Sequence, residues 1–380
     1  MFGRVVQVMF KRLAVGLLAT SLSGCAGVSM NPGGQQAPAV RIDHATVWVS
    51  DLEGAAGFLT GTVGWSRHPG GVRTAGADRS TGERDRAFID ANGFWLELRT
   101  STSPGPGADI LKLRGSGYIS ELAFQSRKYD EALAAMQARG VALDAINEIR
   151  LGSGRAIGQG ASSGAGTMDQ GPRIARFPSE WTRGTGIALI EYRPHASRDA
   201  LTLRDGAQRR MGRAPNSPRL DRIAIIVADA ERSARFYTDV LGLKRHPETF
   251  NLDGGTNAQS GGMQVVFIDA RGIWLALVQP VGPGPLMDYL TEKGDGFVAE
   301  LIAEVDDLGR FYDDMKARGI QLVDTSGAPV DDTQKAHVLA PYGDRIAYLP
   351  TSVSHGIVIE ISQRGPTETS LIHKRDAWKH

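Results

Sequence analysis

The feature that most constrains this chain is an internal repeat. Arg41-Ile42-Asp43-His44-Ala45-Thr46-Val47-Trp48-Val49-Ser50-Asp51-Leu52 returns 178 residues later as Arg219-Leu220-Asp221-Arg222-Ile223-Ala224-Ile225-Ile226-Val227-Ala228-Asp229-Ala230. The correspondence continues through Arg67-His68-Pro69 and Arg245-His246-Pro247, Gly93-Phe94-Trp95-Leu96 and Gly272-Ile273-Trp274-Leu275, and Glu121-Leu122 and Glu300-Leu301. Met136 to Gly140 matches Met315 to Gly319, Arg173-Ile174-Ala175 matches Arg345-Ile346-Ala347, and Ile190-Glu191 reads against Ile359-Glu360. A tandem duplication of one folding unit follows.

Each half divides again. In the first, a strand (Ile42 to Val49) precedes a helix (Leu52 to Thr62) and two strand-like runs (Arg86 to Asp90, Phe94 to Arg99). The cycle restarts with strand Tyr118 to Gln125, helix Tyr129 to Arg139 and strands Arg173 to Phe177 and Ile187 to Tyr192. The second half repeats it, with helices Glu231 to Leu241 and Leu308 to Arg318. These patterns predict an α+β fold of four strand-helix-strand-strand-strand units. The polar, Arg-rich stretch with Pro215 and Pro218 marks the boundary between the halves.

The first 25 residues read differently. Arg4, Lys11 and Arg12 precede an uncharged run from Leu13 to Leu22 and then Leu22-Ser23-Gly24-Cys25, the layout of a secretory signal, and too short to span a bilayer. The tetrad resembles the lipobox of bacterial lipoproteins, which implies lipidation of Cys25. The expected organisation is a signal peptide (1–24), a Gly/Pro/Ser/Gln-rich tether (25–40), a first module (41–196), a linker (197–217), a second module (218–364) and a tail (365–380). The expected location is the bacterial cell envelope, lipid-anchored, facing the periplasm in a Gram-negative cell. Cys25 is the only cysteine, which excludes a disulfide framework or a multi-cysteine zinc site. With 43 Lys and Arg against 42 Asp and Glu, charge gives no reason to expect nucleic acid.

Ile42-Asp43-His44 on the first strand, Trp95-Leu96-Glu97-Leu98 closing a unit, Gly117 to Phe124 opening the next, and Gly186-Ile187-Ala188-Leu189-Ile190-Glu191 ending the module together resemble the vicinal oxygen chelate superfamily. That superfamily includes glyoxalase I, methylmalonyl-CoA epimerase, extradiol dioxygenases and the bleomycin and fosfomycin resistance proteins. The resemblance covers nearly all of 41–363 and implies two cup-shaped modules made of paired units. It also implies a divalent metal at His44, Glu97, Glu121 and Glu191, with Glu121 replacing the commoner His. One imidazole and three carboxylates suit manganese, iron(II) or magnesium. Such an ion would stabilise a developing enolate or oxyanion, with a carboxylate, Glu97 or Glu191, free to move a proton.

Strand alternation places His44 with Ile42, Thr46 and Trp48; Glu97 with Trp95 and Arg99; Glu121 with Ile119, Ala123 and Gln125; and Glu191 with Leu189 and Arg193. Arg99 and Arg193 offer another way to neutralise the carboxylates, without a metal. The matching positions in the second module read Arg222, Ala276, Glu300 and Glu360, a degenerate site in which Arg222 is a built-in counter-ion. The two His and one Glu of the extradiol dioxygenases are not intact there, which disfavours that activity.

Three functions are compatible with these residues: a lipid-anchored metal-dependent lyase or isomerase acting on a small oxygen-rich molecule; a metal-free protein binding a small apolar or aromatic ligand against Trp48 and Trp95; and a structural envelope lipoprotein. Gly160-Ala161-Ser162-Ser163-Gly164 matches a nucleophile-elbow pattern without the strand and helix that pattern requires, and Gly152 to Gly171 reads as a disordered insertion, with a lid over the first cup as the alternative. His68 and His246, each before a proline, read as surface turn residues. The lipoprotein reading is tested by Cys25→Ser: the variant is expected to remain uncleaved or become soluble on fractionation, whereas a cleaved variant still retained by the membrane would sink it.

Overall fold

The computed structural model describes residues 40–68, 83–101, 104–126, 128–141, 144–148, 173–191, 217–252, 261–332, 343–366 and 370–379. The signal, Cys25, the tether, nearly all of the linker, the Gly160 to Gly164 motif, the surrounding insertion and Arg193 lie outside the described residues.

The first module is one sheet of eight strands: β1 (Val40–Trp48), β2 (Ser66–Arg67), β3 (Glu83–Asp90), β4 (Trp95–Ser101), β5 (Tyr118–Ser126), β6 (Asp144–Glu148), β7 (Arg173–Arg176) and β8 (Ile187–Glu191). Their order is β2-β3-β4-β1-β5-β8-β7-β6. The second module has seven: β9 (Arg219–Ile226), β10 (Lys244–Leu252), β11 (Met263–Asp269), β12 (Trp274–Pro280), β13 (Phe297–Glu304), β14 (Arg345–Leu349) and β15 (Ile359–Gln363), ordered β10-β11-β12-β9-β13-β15-β14. In both sheets the opening strands of the two units pair antiparallel at the centre, and each unit's last strand lies parallel to its first. The α+β architecture of two modules, each of two units, is therefore the observed one.

Helix α1 (Leu52–Gly57) begins where the Asp51 carboxylate accepts the Gly54 N–H, and continues as a wider π-helical segment over Phe58–Val63. Its counterpart α5 (Ala230–Arg235, then Phe236–Val240) is capped the same way by Asp229. Helices α3 (Tyr129–Ala138) and α7 (Leu308–Ala317) follow the central strands, as their periodicity predicts. Sequence reasoning missed α2 (Pro106–Arg114) and α6 (Pro285–Lys293), although each starts on a proline after glycine, a helix-entry signal. It also missed the short α4 (Ser179–Thr182) and α8 (Leu371–Asp376), the latter folding back from what reads as a tail.

A single apolar core runs between the modules. It joins Val40, Ile42, Ala45, Val47, Leu96, Leu122, Phe124 and Leu189 of the first sheet to Leu220, Ile223, Ile225, Leu275, Leu301 and Ile359 of the second, with Leu59, Met136, Phe236 and Met315 from the helices between. The cups are the opposite faces of the two sheets. Phe124 meets Tyr237 and Phe177 meets Phe236 across the boundary.

The boundary contacts are reciprocal. Ile42 N–H donates to Ala270 O (3.0 Å) and Leu220 N–H to Ala91 O (3.1 Å). The turn entering β5 meets the turn entering β15, where the Ser116 hydroxyl donates to the His355 carbonyl. The turn entering β13 meets the turn entering β8, where the Thr185 hydroxyl donates to Gly296 O (2.9 Å). At the first of these, Gly117 has φ +87°, and a Cβ there would lie 2.0 Å from the Gly356 carbonyl carbon. Gly117→Ala is expected to destabilise the chain by about 2–4 kcal/mol in denaturant titration. Gly115→Ala, with a similar φ of +86° but open space around it, should cost only about 1–2 kcal/mol.

Candidate functional site

Strand β1 carries one extra residue against β5: Ile42 faces Phe124 and His44 faces Ala123, leaving Asp43 as a bulge. The bulge shifts alternation, so Ile42 joins the core and does not share the face of His44, while Asp43 and His44 both turn into the cup. A second bulge on β5, at Ser120, likewise sends Ile119 to the core and keeps Glu121 on the cup side. Trp48 donates its indole N–H to the Ser120 hydroxyl at 3.1 Å.

Glu97 is the centre of the first cup and is 2% exposed. Its Oε1 accepts from Arg86 (3.1 Å); its Oε2 accepts from Arg99 (2.7 Å) and the Thr46 hydroxyl (3.1 Å), and His44 Nε2 lies 3.5 Å away. The other imidazole nitrogen, Nδ1, bonds Asp43 at 2.9 Å. Burial would lower the His44 pKa, but hydrogen bonds to Asp43 and Glu97 and their charges lift it from 6.5 to about 9. Burial pushes Glu97 upward, and the Arg99 and Arg86 guanidiniums overcome it, holding the carboxyl well below its usual range. Glu121, at the edge of the cluster, accepts from Arg176 Nε at 2.7 Å. Arg99 thus acts as the internal counter-ion the sequence offered as an alternative to a metal. Phe88 stands edge-on to His44, and His68 edge-on to Trp95, so His68 is a wall residue of the cup and not a surface turn.

Glu191 is a correction. On β8 the cup face is Ala188 and Ile190, whereas Ile187 and Leu189 belong to the inter-module core. Glu191 therefore points to the helical side, where Arg173 binds it (3.2 Å), bonds Asp130 of α3 and lies over the Tyr129 ring. The register explains the error. Leu122 pairs with Ile187 and Leu301 with Ile359, so Glu360 corresponds to Ala188 and Glu191 to Gln363. Reading Ile190-Glu191 against Ile359-Glu360 slips the strand by three residues. The carried-over set of four does not converge: His44, Glu97 and Glu121 share the cup, and Glu191 lies behind the sheet.

This arrangement does not fit the metal that the superfamily resemblance implies. Both oxygens of Glu97 are held by guanidiniums, Glu121 by Arg176, His44 has its two ring nitrogens turned to Asp43 and Glu97, and the fourth position is an alanine. Among the described residues no group of three or more His, Cys, Asp or Glu side chains is set to hold an ion.

In the second cup an equivalent bulge at Asp221 turns Asp221 and Arg222 inward together. Arg222 is 3% exposed and donates to Asp221 (3.1 Å) and Glu360 (3.2 Å). The Tyr348 hydroxyl donates to the other Glu360 oxygen (3.0 Å). Burial and the neighbouring Glu360 charge push Glu300 up to about 8, against the opposing pull of Arg222. His246, expected at the surface, is 2% exposed and packed against Phe250, Trp274 and Trp378.

Two pH dependences follow, of the same sign. The bonus from His44 protonation is full below pH 6.5 and lost as pH rises through about 9, so the stability gap between the native chain and His44→Gln should shrink across that window. The Glu300 proton is retained in the fold after the unfolded chain has released it, so stability falls from pH 4.5 to about 8. Glu300→Gln should remove that fall, gaining on the native chain up to pH 8 and no further. Thermal melts across pH 4–10 check both, and an imidazole titrating near 6.5 by NMR would contradict the first.

Residues 219–348 match the family model described as Glyoxalase/Bleomycin resistance protein/Dioxygenase superfamily. Mitochondrial methylmalonyl-CoA epimerase of Bos taurus is 24% identical over 149 residues, 39% of this chain and 75% of that protein. A mutant of 4-hydroxymandelate synthase from Streptomyces coelicolor superposes with a TM-score of 0.54 at 18% identity, over 86% of this chain and 93% of that one. The Mn(II)-bound glyoxalase from Novosphingobium aromaticivorans gives a TM-score of 0.45 at 15% identity, over 85% and 81%. The second module thus belongs to the Glyoxalase/Bleomycin resistance protein/Dioxygenase superfamily, and the first is another copy of the same fold.

Proposed function

We propose that the first cup is a metal-independent site for a small molecule bearing a carboxylate or phosphate. The observation that carries this reading is the set of groups around Glu97. Two guanidiniums and an imidazolium gather on one buried carboxylate, in the position where a metal would sit on the resemblance. A guanidinium stays charged at any working pH and offers paired donors matched to an oxyanion. Thr46 and Trp48 on β1 and Trp95 on β4 supply hydroxyl and aromatic surface for the rest of the molecule. Arg176, paired with Glu121 and about a third exposed, stands where an incoming anion would meet it first. The apolar or aromatic ligand expected from Trp48 and Trp95 alone is thereby given a charged end.

A second reading, a metal-dependent lyase or isomerase in the same cup, draws on one observation: His44, Glu97 and Glu121 stand on a common face at three of the four positions that the resemblance assigns to ligands. It requires Arg86 and Arg99 to release Glu97. We further propose that the modules are bounded near 41–196 and 218–364 and act at the cell envelope, tethered through Cys25.

Elemental analysis of protein purified without added metal or chelator, combined with calorimetric titration of citrate, malonate and phosphate, separates the two readings. The anion reading expects no stoichiometric metal, binding unchanged by EDTA, and at least a tenfold loss of affinity in Arg99→Ala. Stoichiometric manganese or iron, with EDTA and Glu97→Gln abolishing binding together, would establish the metal-dependent reading instead.

A further inference from the structure

The two cups share a backbone but differ in what fills them. Thr46, Arg86, Glu97 and Arg99 of the first correspond, by strand register, to Ala224, Val265, Ala276 and Val278 of the second. This half of the second cup is therefore apolar. It forms a cluster of its own in which Ala224, Phe250, Phe267, Trp274, Ala276 and Ile302 surround Leu371 of α8, with Trp378 packed against them. The occupant is the chain's own C-terminal segment.

Its entry is fixed by Asp344, fully buried, which accepts the Gly365 N–H (2.9 Å), the Ser370 hydroxyl (2.5 Å) and the Ile372 N–H (3.3 Å). One turn on, Arg375 enters the cup and is 1% exposed. Its two terminal nitrogens bind the two oxygens of Asp221 at 2.6 and 3.0 Å, and its guanidinium carbon lies 5.1 Å from the Trp274 ring centre and 5.8 Å from that of Phe267. A carboxylate held end-on beside two aromatic faces is a receptor for a planar cation. Within its own helix Arg375 also pairs with Asp376 (2.9 Å), which has a second cation in Arg364 (2.8 Å). Inside the cup Arg222 is shared between Asp221 and Glu360, and Arg375 gives Asp221 a second cation.

We infer that the second cup is a binding site for a guanidinium or alkylammonium group carried on a short apolar body, and that the chain fills it in cis with Arg375. The site is assembled by the sheet: Asp221 by its bulge, Trp274 and Phe267 by adjacent strands. Arg375 is supplied from outside that sheet by a segment of ten described residues. The first cup cannot take the same ligand, because Arg86 and Arg99 occupy the equivalent wall. The inference is independent of the function proposed for the first cup.

Chemical rescue in the full-length protein tests it. Arg375→Ala should lower the melting temperature, and methylguanidinium or agmatine at about 10 mM should raise it again by about 2–4 °C, the shift of a ligand present at several times its dissociation constant. Sodium chloride at equal ionic strength should not, and the double variant Asp221→Asn, Arg375→Ala should show no rescue. If Arg375→Ala does not fold, the same titration on Arg375→Lys, which keeps a cation in place, decides the matter through faster hydrogen exchange of residues 370–379 with agmatine than with salt. Rescue equal to that of sodium chloride, rescue that survives loss of Asp221, or exchange unaffected by agmatine would overturn the assignment.

Discussion

The chemistry of both modules depends on one extra residue in a strand. Without the bulges at Asp43 and Asp221, alternation would bury one member of each neighbouring pair in the core and show only the other to the cup. With them, an acid and a base adjacent in sequence enter the same cavity side by side. The pairs Asp43–His44 and Asp221–Arg222 are the local consequence, and each sets the electrostatics of its cup. In the first, Asp43 helps keep the imidazole protonated and so adds a third positive group around Glu97. In the second, Asp221 draws in two arginines, one from its own strand and one from the C-terminal helix.

From this common start the cups diverge by a handful of side chains. Keeping Arg86, Glu97 and Arg99 gives a polar wall in which two guanidiniums share one carboxylate. Exchanging them for Val265, Ala276 and Val278 gives an apolar wall that must be covered. Buried ion pairs contribute little net stability once desolvation is counted, but removing one partner is costly because the other remains buried. In the first cup Glu97 is held by Arg86 and Arg99 from the same wall. In the second, Glu360 and Asp221 share Arg222, and the covering segment brings Asp221 a second cation, Arg375.

The repeat, the central strands and helices α1, α3, α5 and α7 are legible because their signals are local: apolar periodicity, a capping aspartate, the duplicated text itself. His44 and Glu97 were found through the superfamily resemblance, which assigns its site positions to the first and last strands of a unit. Glu191 could not be placed, since parity along a strand says which residues share a face, not which face turns inward; that depends on the register across β5, and the tempting Ile-Glu match hides it. The bulges have no sequence mark that alternation alone would reveal, so Ile42 and Ile119 were assigned to the wrong side. Arg375 and His246 were missed for another reason: their environment is built from segments far apart in sequence, and a six-residue helix near the end of a chain carries too little periodicity to announce that it is buried.

The two cups are also less independent than a tandem repeat suggests. The residue preceding each bulge donates its backbone N–H to a turn of the other module, Ile42 to Ala270 and Leu220 to Ala91. A bulge leaves local backbone groups without ladder partners, so an anchor immediately before it fixes where the strand resumes and thus which way His44 or Arg222 points. Each module supplies the anchor for the other's site, and the reciprocal turn contacts at Gly117 and Gly296 lie at the opposite ends of the same central strands. A half-chain would lose the apolar core it shares with its partner and also the constraint that aims its own acid-base pair into the cup. The duplication is retained here as a structural unit in which each copy positions the chemistry of the other.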